Sequence, residues 1–232
     1  YRQDWHGGGL LTHVKQIPDA IREKADAHRQ YRNEIPQLEG KDIRICMDEW
    51  NYWYGPHIYG ELGTRYFMRD ALGIAAGLNE YSRQSDMVFM ANYAQTVNVI
   101  GCIKTNSTSS VFDATGQVLK LYRQYFGTIP VAISGETRPV DIAATLDSEG
   151  KKLTISVVNA TWDEVKIPVT LINGTVSGEG ELWQITAPDD MATNEPGRPE
   201  NVKIAGPEPV PSLKELTVGP ASISLFVFNL TN

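Results

Sequence analysis

The sequence is poor in cysteine and histidine and has no long apolar run. Two cysteines in 232 residues exclude a disulfide-stabilised scaffold. The four histidines stand apart, with no CxxC or HExxH pattern, and so predict no zinc site. No stretch reaches the ~18 apolar residues that suggest a membrane-spanning helix. Basic residues are too few for a nucleic-acid binder, since the formal net charge is −7.

Composition changes partway along the chain. Residues 1–126 contain 14 Lys and Arg against 14 Asp and Glu, whereas residues 127–232 contain 7 against 14. All ten Tyr lie in the first stretch, and ten of the thirteen Pro lie in the second. At about 150 residues per domain, a chain of this length holds one or two domains. We therefore predict one domain at residues 1–127 and a second at residues 128–232.

The first stretch alternates helix-like and strand-like segments. Helical composition is found at 14–32, 65–83 and 115–126, with Thr115 as a candidate N-cap of the last helix. Short apolar runs at 43–48 and 87–93 are typical of buried strands, so we expect Cys46 to be a buried free thiol. This order indicates a parallel α/β fold, either a doubly wound sheet or a (β/α)₈ barrel. Two strands are too few to close either one, so we expect the C-terminal part of a longer protein.

The second stretch has the alternation of antiparallel β structure. Segments 140–146, 152–158, 165–169 and 222–228 alternate apolar with polar or small residues, and turn signals lie between them. Short strands at this spacing indicate a β-sandwich. The Pro-rich and polar segment 186–211 is interpreted as a long surface loop.

Residues able to carry chemistry follow the first predicted strand directly. Segment 47–55, Met-Asp-Glu-Trp-Asn-Tyr-Trp-Tyr-Gly, holds two carboxylates, one amide and four aromatic rings. In parallel α/β folds, ligands bind at the carboxyl ends of strands. Aromatic rings cover the C–H faces of a sugar, polar groups hold its hydroxyls, and a carboxylate can attack the anomeric carbon. The segment favours a sugar site, although loop charges beside core aromatics would show the same residue types.

Two motifs carry a resemblance to a known family. Asp48-Glu49-Trp50-Asn51, followed by Trp53-Tyr54, resembles the nucleophile motif of the family 51 glycoside hydrolases, the α-L-arabinofuranosidases. Segment 91–100, Ala-Asn-Tyr-Ala-Gln-Thr-Val-Asn-Val-Ile, is similar to the family's segment after the last barrel strand. The order of the motifs and the all-β segment behind them also match. The resemblance implies the C-terminal part of a (β/α)₈ barrel followed by an antiparallel, jelly-roll-like β-sandwich.

The same resemblance implies a retaining mechanism and a set of site residues. Glu49 would be the nucleophile at the end of the seventh barrel strand. Gln95, after the eighth strand, would hydrogen-bond the sugar. Tyr1 stands where the family has an aromatic hydroxyl near the nucleophile. Trp50 and Asn51 would shape the floor of the substrate site.

One catalytic group of the family is missing. Its general acid/base Glu lies in an Asn-Glu pair after the fourth strand, which would precede Tyr1. Retaining hydrolysis needs two carboxyl groups roughly 5 Å apart. Glu61, in a Gly-Glu-Leu-Gly loop, and Glu80, on the polar side of a predicted helix, are poor substitutes. The chain alone is therefore predicted to be inactive, and the missing N-terminal part of the barrel is its expected partner.

Two classes of function stay open. The first is a glycoside hydrolase segment that releases terminal α-L-arabinofuranosyl groups from plant polysaccharides or oligosaccharides, with xylosidase or endoglucanase activity compatible with the same mechanism. The second is a non-catalytic sugar-binding or structural sandwich module, which has no need for Glu49. His57 could line a substrate entrance, and a solvated loop histidine is an equal alternative. No cofactor, metal, nucleic acid or membrane is expected, and the family's tendency to oligomerise predicts a homo-oligomer.

Overall fold

The computed structural model describes residues 8–54 and 63–231, and its first part is an α/β unit. Its elements, in chain order, are helix α1 (Leu10–Glu34), strand β1 (Ile45–Trp50), helix α2 (Met68–Arg83), strand β2 (Val88–Tyr93), strands β3 (Ile103–Thr105) and β4 (Ser110–Phe112), and helix α3 (Ala114–Tyr125). A 3₁₀ turn at Pro36–Leu38 lies between α1 and β1. The three predicted helices and the two predicted strands are all present. Strands β3 and β4, at three residues each, are too short to show an alternating pattern in the sequence.

Strands β1 and β2 form a parallel pair with α2 as the crossover. Ile45 pairs with Val88, and Trp50 pairs with Tyr93. Within the described ranges no further strand joins this pair, so both of its outer edges are unpaired. The predicted parallel α/β arrangement is confirmed, and strands β3 and β4 form a separate antiparallel hairpin before α3.

Helix α1 packs along α2 because both present apolar or small side chains to each other. The buried stripe on α1 is Val14, Ile17, Ile21 and Ala25, spaced three or four residues apart. Gly77 of α2 allows the close approach, since a Cβ there would lie 2.7 Å from Cγ2 of Ile17. This contact fixes the two helices behind the parallel strands.

The second part is a β-sandwich. Its strands, in chain order, are β5 (Ile129–Val131), β6 (Asp141–Leu146), β7 (Lys152–Asn159), β8 (Val165–Pro168), β9 (Thr175–Val176), β10 (Gly180–Thr186), β11 (Lys203–Val210), β12 (Glu215–Val218) and β13 (Ser222–Thr231). The large sheet has the order β11-β10-β13-β7-β6-β5, with β9 beside the end of β13, and β12 pairs with β8 opposite it. All these pairings are antiparallel. Ile155 and Phe226 of the large sheet pack with Leu216 and Val218 of β12, so the predicted sandwich is confirmed.

The prediction of one long loop at 186–211 is wrong in its second half. β11 occupies Lys203–Val210 and pairs with β10. Pro207 and Pro209 hid this strand, because proline cannot donate a ladder hydrogen bond. The two prolines are tolerated in β11 because this strand lies at the edge of the large sheet, where one row of backbone groups has no partner strand.

The other face of the large sheet packs against α2 and α3. Val158, Ile223 and Leu225 share one buried cluster with Ala75 of α2 and Leu121 of α3. β7 is therefore buried along nearly its whole length, with only its first residue exposed. The predicted boundary near residue 127 lies between α3 and β5, and the division into two domains stays a prediction.

Candidate active site

β1 ends in two exposed carboxylates. Between Met47 and Trp50, three steps along β1 match two steps along β2, which is the register of a β-bulge. Met47 and Trp50 are buried, whereas Asp48 and Glu49 are exposed. Cys46 is also exposed, and its thiol donates to Asp48 over 3.3 Å, so its predicted burial is wrong. Cys46 lies two residues before Asp48 and projects from the same exposed face of β1.

Asn51 joins the end of β1 to the loop that follows β2. Its Nδ2 lies 2.9 Å from the carbonyl oxygen of Ala94, 2.8 Å from that of Ile100 and 2.6 Å from the Tyr66 hydroxyl. Its Oδ1 accepts from the backbone N–H of Tyr52 over 2.7 Å. Asn51 is only 3% exposed, so its amide supports the two strand ends from below.

Gln95 lies at the neighbouring strand end. The backbone N–H of Ala94 donates to the Trp50 carbonyl over 3.2 Å, and the N–H of Gln95 donates to the Ile100 carbonyl over 3.3 Å. Gln95 itself is exposed. The fold thus brings Glu49 and Gln95 to the same end of the parallel pair, while their roles in sugar binding stay predictions.

Trp50 lies on the helix side of β1. Its ring is 2% exposed and meets Tyr81 and Tyr93 edge-on, at centroid distances of 5.0 and 5.6 Å. Gly77 of α2 makes room for it, since a Cβ there would lie 3.2 Å from the ring. The bulge before Trp50 directs the side chain inward. Trp50 and Asn51 thus support the site from beneath, and any direct role at its floor stays a prediction.

Several predicted residues lie outside the described residues. These are Tyr1, His57 and Glu61. Trp53, the first residue of the Trp-Tyr pair in the motif, is 45% exposed two residues after Asn51. It is the aromatic side chain that this segment leaves accessible, and its exposure could not be deduced from the spacing of the motif.

Glu80 is buried rather than on a polar helix face. Its residue is 1% exposed, and its carboxylate accepts from Arg22 of α1 over 3.1 and 3.0 Å and from Arg83 over 2.8 Å. Burial by itself would raise the pKa of Glu80. The hydrogen bond from Gln84 and the charges of Arg83 and Arg22 outweigh burial and lower that pKa below its usual value. A carboxylate held ionised by two guanidinium groups is a poor proton donor, which supports its exclusion as a general acid.

A buried polar cluster supports the segment that continues from β1. Nε2 of His13 donates to Asp70 over 2.9 Å, the Tyr54 hydroxyl donates to the same carboxylate, and the backbone N–H of Phe67 donates to its other oxygen over 2.8 Å. The Tyr52 hydroxyl donates to the His13 carbonyl over 2.9 Å. Burial, together with the charge of Asp70, raises the pKa of Tyr54 far above its ordinary value, so the phenol keeps its proton. The sequence did not predict the cluster because His13 and Asp70 are 57 positions apart.

Replacing Asp70 by alanine is expected to destabilise the protein by about 3 kcal/mol, because three buried donors lose their acceptor. In the full-length polypeptide this should lower the thermal midpoint by about 3 °C. Asp86→Ala is the matched control, since Asp86 is exposed and pairs only at the surface with Arg29. An Asp70→Ala midpoint equal to that of the control would contradict the stabilising role.

The described residues hold no group of three His, Cys, Asp or Glu side chains arranged to bind a metal ion. Within those same residues, no helix combines the length and apolar character needed to cross a membrane.

Comparison with known proteins gives a consistent match. A family model described as "Alpha-L-arabinofuranosidase C-terminal domain" matches residues 48–222. The probable α-L-arabinofuranosidase C of Aspergillus flavus is 34% identical over an alignment of 188 residues, and the match covers 72% of this chain and 36% of that protein. The α-L-arabinofuranosidase C of Emericella nidulans is 33% identical, with the same coverage. The chain thus spans about a third of the length of these relatives.

Solved structures share the fold. The α-L-arabinofuranosidase of Thermotoga maritima, in an arabinose complex, superposes with a TM-score of 0.81 over 94% of this chain and 50% of its own, at 23% identity. The family 51 enzyme of Thermotoga petrophila gives a TM-score of 0.79 over 97% and 50%, at 24% identity. The parallel βα units and the β-sandwich of this chain therefore have the same fold as the matching parts of these two structures.

Proposed function

Because this chain belongs to the α-L-arabinofuranosidase C-terminal domain family, we propose that it is the C-terminal part of a retaining glycoside hydrolase. The whole protein would release terminal α-L-arabinofuranosyl groups from plant polysaccharides or oligosaccharides. The observation that carries this proposal is the exposed Glu49 at the carboxyl end of β1, beside the strand end that bears Gln95. Ligands of parallel α/β folds bind at this edge.

In the proposed reaction Glu49 is the nucleophile. One of its carboxylate oxygens attacks the anomeric carbon and forms a glycosyl ester, while the bond between that carbon and the leaving-group oxygen breaks. The general acid donates its proton to the leaving-group oxygen in the same step. Water then attacks the same carbon, gives its proton to the acid's conjugate base, and releases arabinose together with the Glu49 carboxylate. Two inversions give overall retention. The Gln95 amide and the Tyr1 hydroxyl would orient the sugar during both steps.

The acid/base would come from outside this chain. The two carboxyl groups of a retaining enzyme stand roughly 5 Å apart, with the sugar between them. Asp48 is adjacent to Glu49 in the chain and accepts from Cys46, while Glu80 is bound by two arginines. Neither is placed to protonate a leaving group. We propose that an upstream Glu, in the Asn-Glu pair that the family resemblance implies, supplies that proton.

Exposed apolar side chains on the parallel strands support an upstream partner. Phe89 and Met90 of β2 are 67% and 44% exposed. Strand faces of this kind are covered in a closed barrel. The remaining strands and helices of a (β/α)₈ barrel would cover them and pair with the free edges of β1 and β2.

The test is a hydrolysis assay of the full-length polypeptide that contains this chain. We expect turnover of an aryl α-L-arabinofuranoside at about 1–10³ s⁻¹, and proton NMR should show the α anomer of arabinose as the first product. An aryl β-D-xyloside and a β-glucan serve as comparison substrates. Binding of arabino-oligosaccharides without any turnover would instead support the sugar-binding module, and a β anomer as first product would contradict retention.

A further inference from the structure

Lys104 of β3 is buried beneath the loop at residues 94–101, here called the Gln95 loop. Lys104 is 1% exposed, and its Nζ donates to the carbonyl oxygen of Val99 over 3.1 Å. The same Nζ lies 4.0 Å from the carboxylate of Asp113, which is fully buried, and 5.2 Å from the centre of the Tyr66 ring. An ammonium group this deep in a protein requires an explanation, because lysine is among the residues least often buried.

The backbone that Lys104 holds has an unusual conformation. Asn98 and Val99 have φ values of 51° and 50°, in the left-handed region, which a β-branched residue such as valine rarely enters. The Val99 carbonyl also accepts from the N–H of Thr64 over 2.7 Å. The side chain of Asn98 exchanges two hydrogen bonds with Thr105, at 3.0 and 2.8 Å. Strained backbone persists where surrounding contacts over-determine it, and such positions cluster at functional sites.

The charged pair is not explained by stability alone. Burial lowers the pKa of Lys104 to about 8, although Asp113 opposes this. Burial raises the pKa of Asp113 to about 7, although Lys104 and the N–H groups of Ala114 and Tyr66 oppose this. The lowered pKa of Lys104 and the raised pKa of Asp113 both show that burial disfavours the charged forms. Replacing such a pair by apolar residues of similar volume is often neutral or stabilising, so the pair is better understood through the geometry that it imposes.

Asp113 extends the contact from the Gln95 loop to the end of β1. Its carboxylate caps α3 by accepting from Ala114 N over 2.8 Å, and it accepts from the backbone N–H of Tyr66 over 3.2 Å. The Tyr66 hydroxyl in turn donates to the Tyr52 carbonyl over 2.8 Å. Asn51 donates to that hydroxyl and to the Ile100 carbonyl, so one bonded network joins both strand ends.

We propose that Lys104 and Asp113 are positioning residues that hold the Gln95 loop in the conformation needed for sugar binding beside Glu49. This inference rests on the proposed function. Lys104 acts through the Val99 carbonyl, and so through the loop, rather than by touching substrate. Misplacing a substrate-binding group by about 1 Å can cost 100-fold in rate.

The test is a double-mutant cycle in the full-length polypeptide, with Lys104→Met and Gln95→Ala alone and combined. Each single variant should lower kcat/KM for the aryl arabinofuranoside by about 10- to 100-fold. If Lys104 acts through the loop, the double variant should be within about twofold of Gln95→Ala alone, because interacting sites are not additive. Lys151→Met, at an exposed lysine in the β6–β7 turn, is the control and should keep wild-type kinetics.

The outcomes separate this inference from the proposed function. An inactive wild-type polypeptide would overturn the proposed function. An active wild type whose Lys104→Met variant keeps kcat/KM within twofold, or shows losses additive with those of Gln95→Ala, would overturn the inference alone. Thermal midpoints are measured in parallel, and kinetics are taken well below them. Should Lys104→Met not fold, Asp113→Asn, which keeps an oxygen to cap α3, enters the same cycle with the same expected non-additivity.

Discussion

Glu49→Ala in the full-length polypeptide is expected to lower kcat for an aryl α-L-arabinofuranoside by roughly 10⁴-fold or more, because no covalent intermediate can form. The fold should stay intact, since Glu49 is exposed on β1. Added azide should restore turnover by entering the space of the lost carboxylate. Its product is a glycosyl azide of inverted configuration, because only one displacement then occurs.

A mechanism-based inhibitor provides an independent test of Glu49 as the nucleophile. A fluorinated arabinofuranoside that traps the ester should label the peptide containing Glu49, and mass spectrometry of a digest would locate the label. Glu149→Ala is the matched control, because Glu149 is an exposed glutamate in the β6–β7 turn and should keep full activity. Labelling of another residue, or substantial activity in Glu49→Ala, would refute the role.

The 232-residue chain expressed alone is expected to show no measurable hydrolysis, and this is the second large effect. The proposed acid lies upstream of the proposed nucleophile, and within the described residues the parallel pair of strands has two open edges beside exposed Phe89 and Met90. Such edges and apolar faces associate with other chains. We therefore expect light scattering to show self-association, and co-expression with the upstream part to restore arabinofuranosidase activity.

Two variants sharpen that complementation experiment. An upstream part whose candidate acid Glu is replaced by Gln should bind this chain without restoring activity, whereas the unaltered part should do both. Phe89→Asp should weaken binding of the upstream part, because a charge would enter an apolar contact. A monomeric chain with substantial turnover by itself would contradict the proposal and would require a second carboxylate within the chain.

The local sequence pattern was sufficient to predict features that depend on a single helix or strand. The stripe on α1 and the apolar runs of β1 and β2 follow directly from spacing, and the two strand ends bring Glu49 and Gln95 together by topology alone. The N-cap of α3 shows where such reasoning stops. Thr115 was predicted, and Asp113 is the cap, because its carboxylate accepts from the N–H of Ala114.

The polar interior could not be predicted because its partners are distant in the sequence. The helical pattern predicts Glu80 on the surface, whereas in the fold Arg22, 58 positions away, donates hydrogen bonds to its carboxylate. Lys104 stands in a polar hairpin, and nothing in that segment indicates that its ammonium group is covered by the Gln95 loop and by Asp113. The exposure of Cys46 could not be predicted either, since an apolar run does not indicate whether both faces of its strand are covered.

The large sheet, packed on both faces, bears on how this architecture can evolve. A module that is exchanged between genes must present a polar surface at its junction. Here the junction buries Val158, Ile223 and Leu225 against α2 and α3, so recombination at codon 127 would leave each product with an apolar surface. The sandwich and these helices are therefore expected to be inherited as one unit, with compensating substitutions on both sides of the contact rather than free exchange of the C-terminal segment.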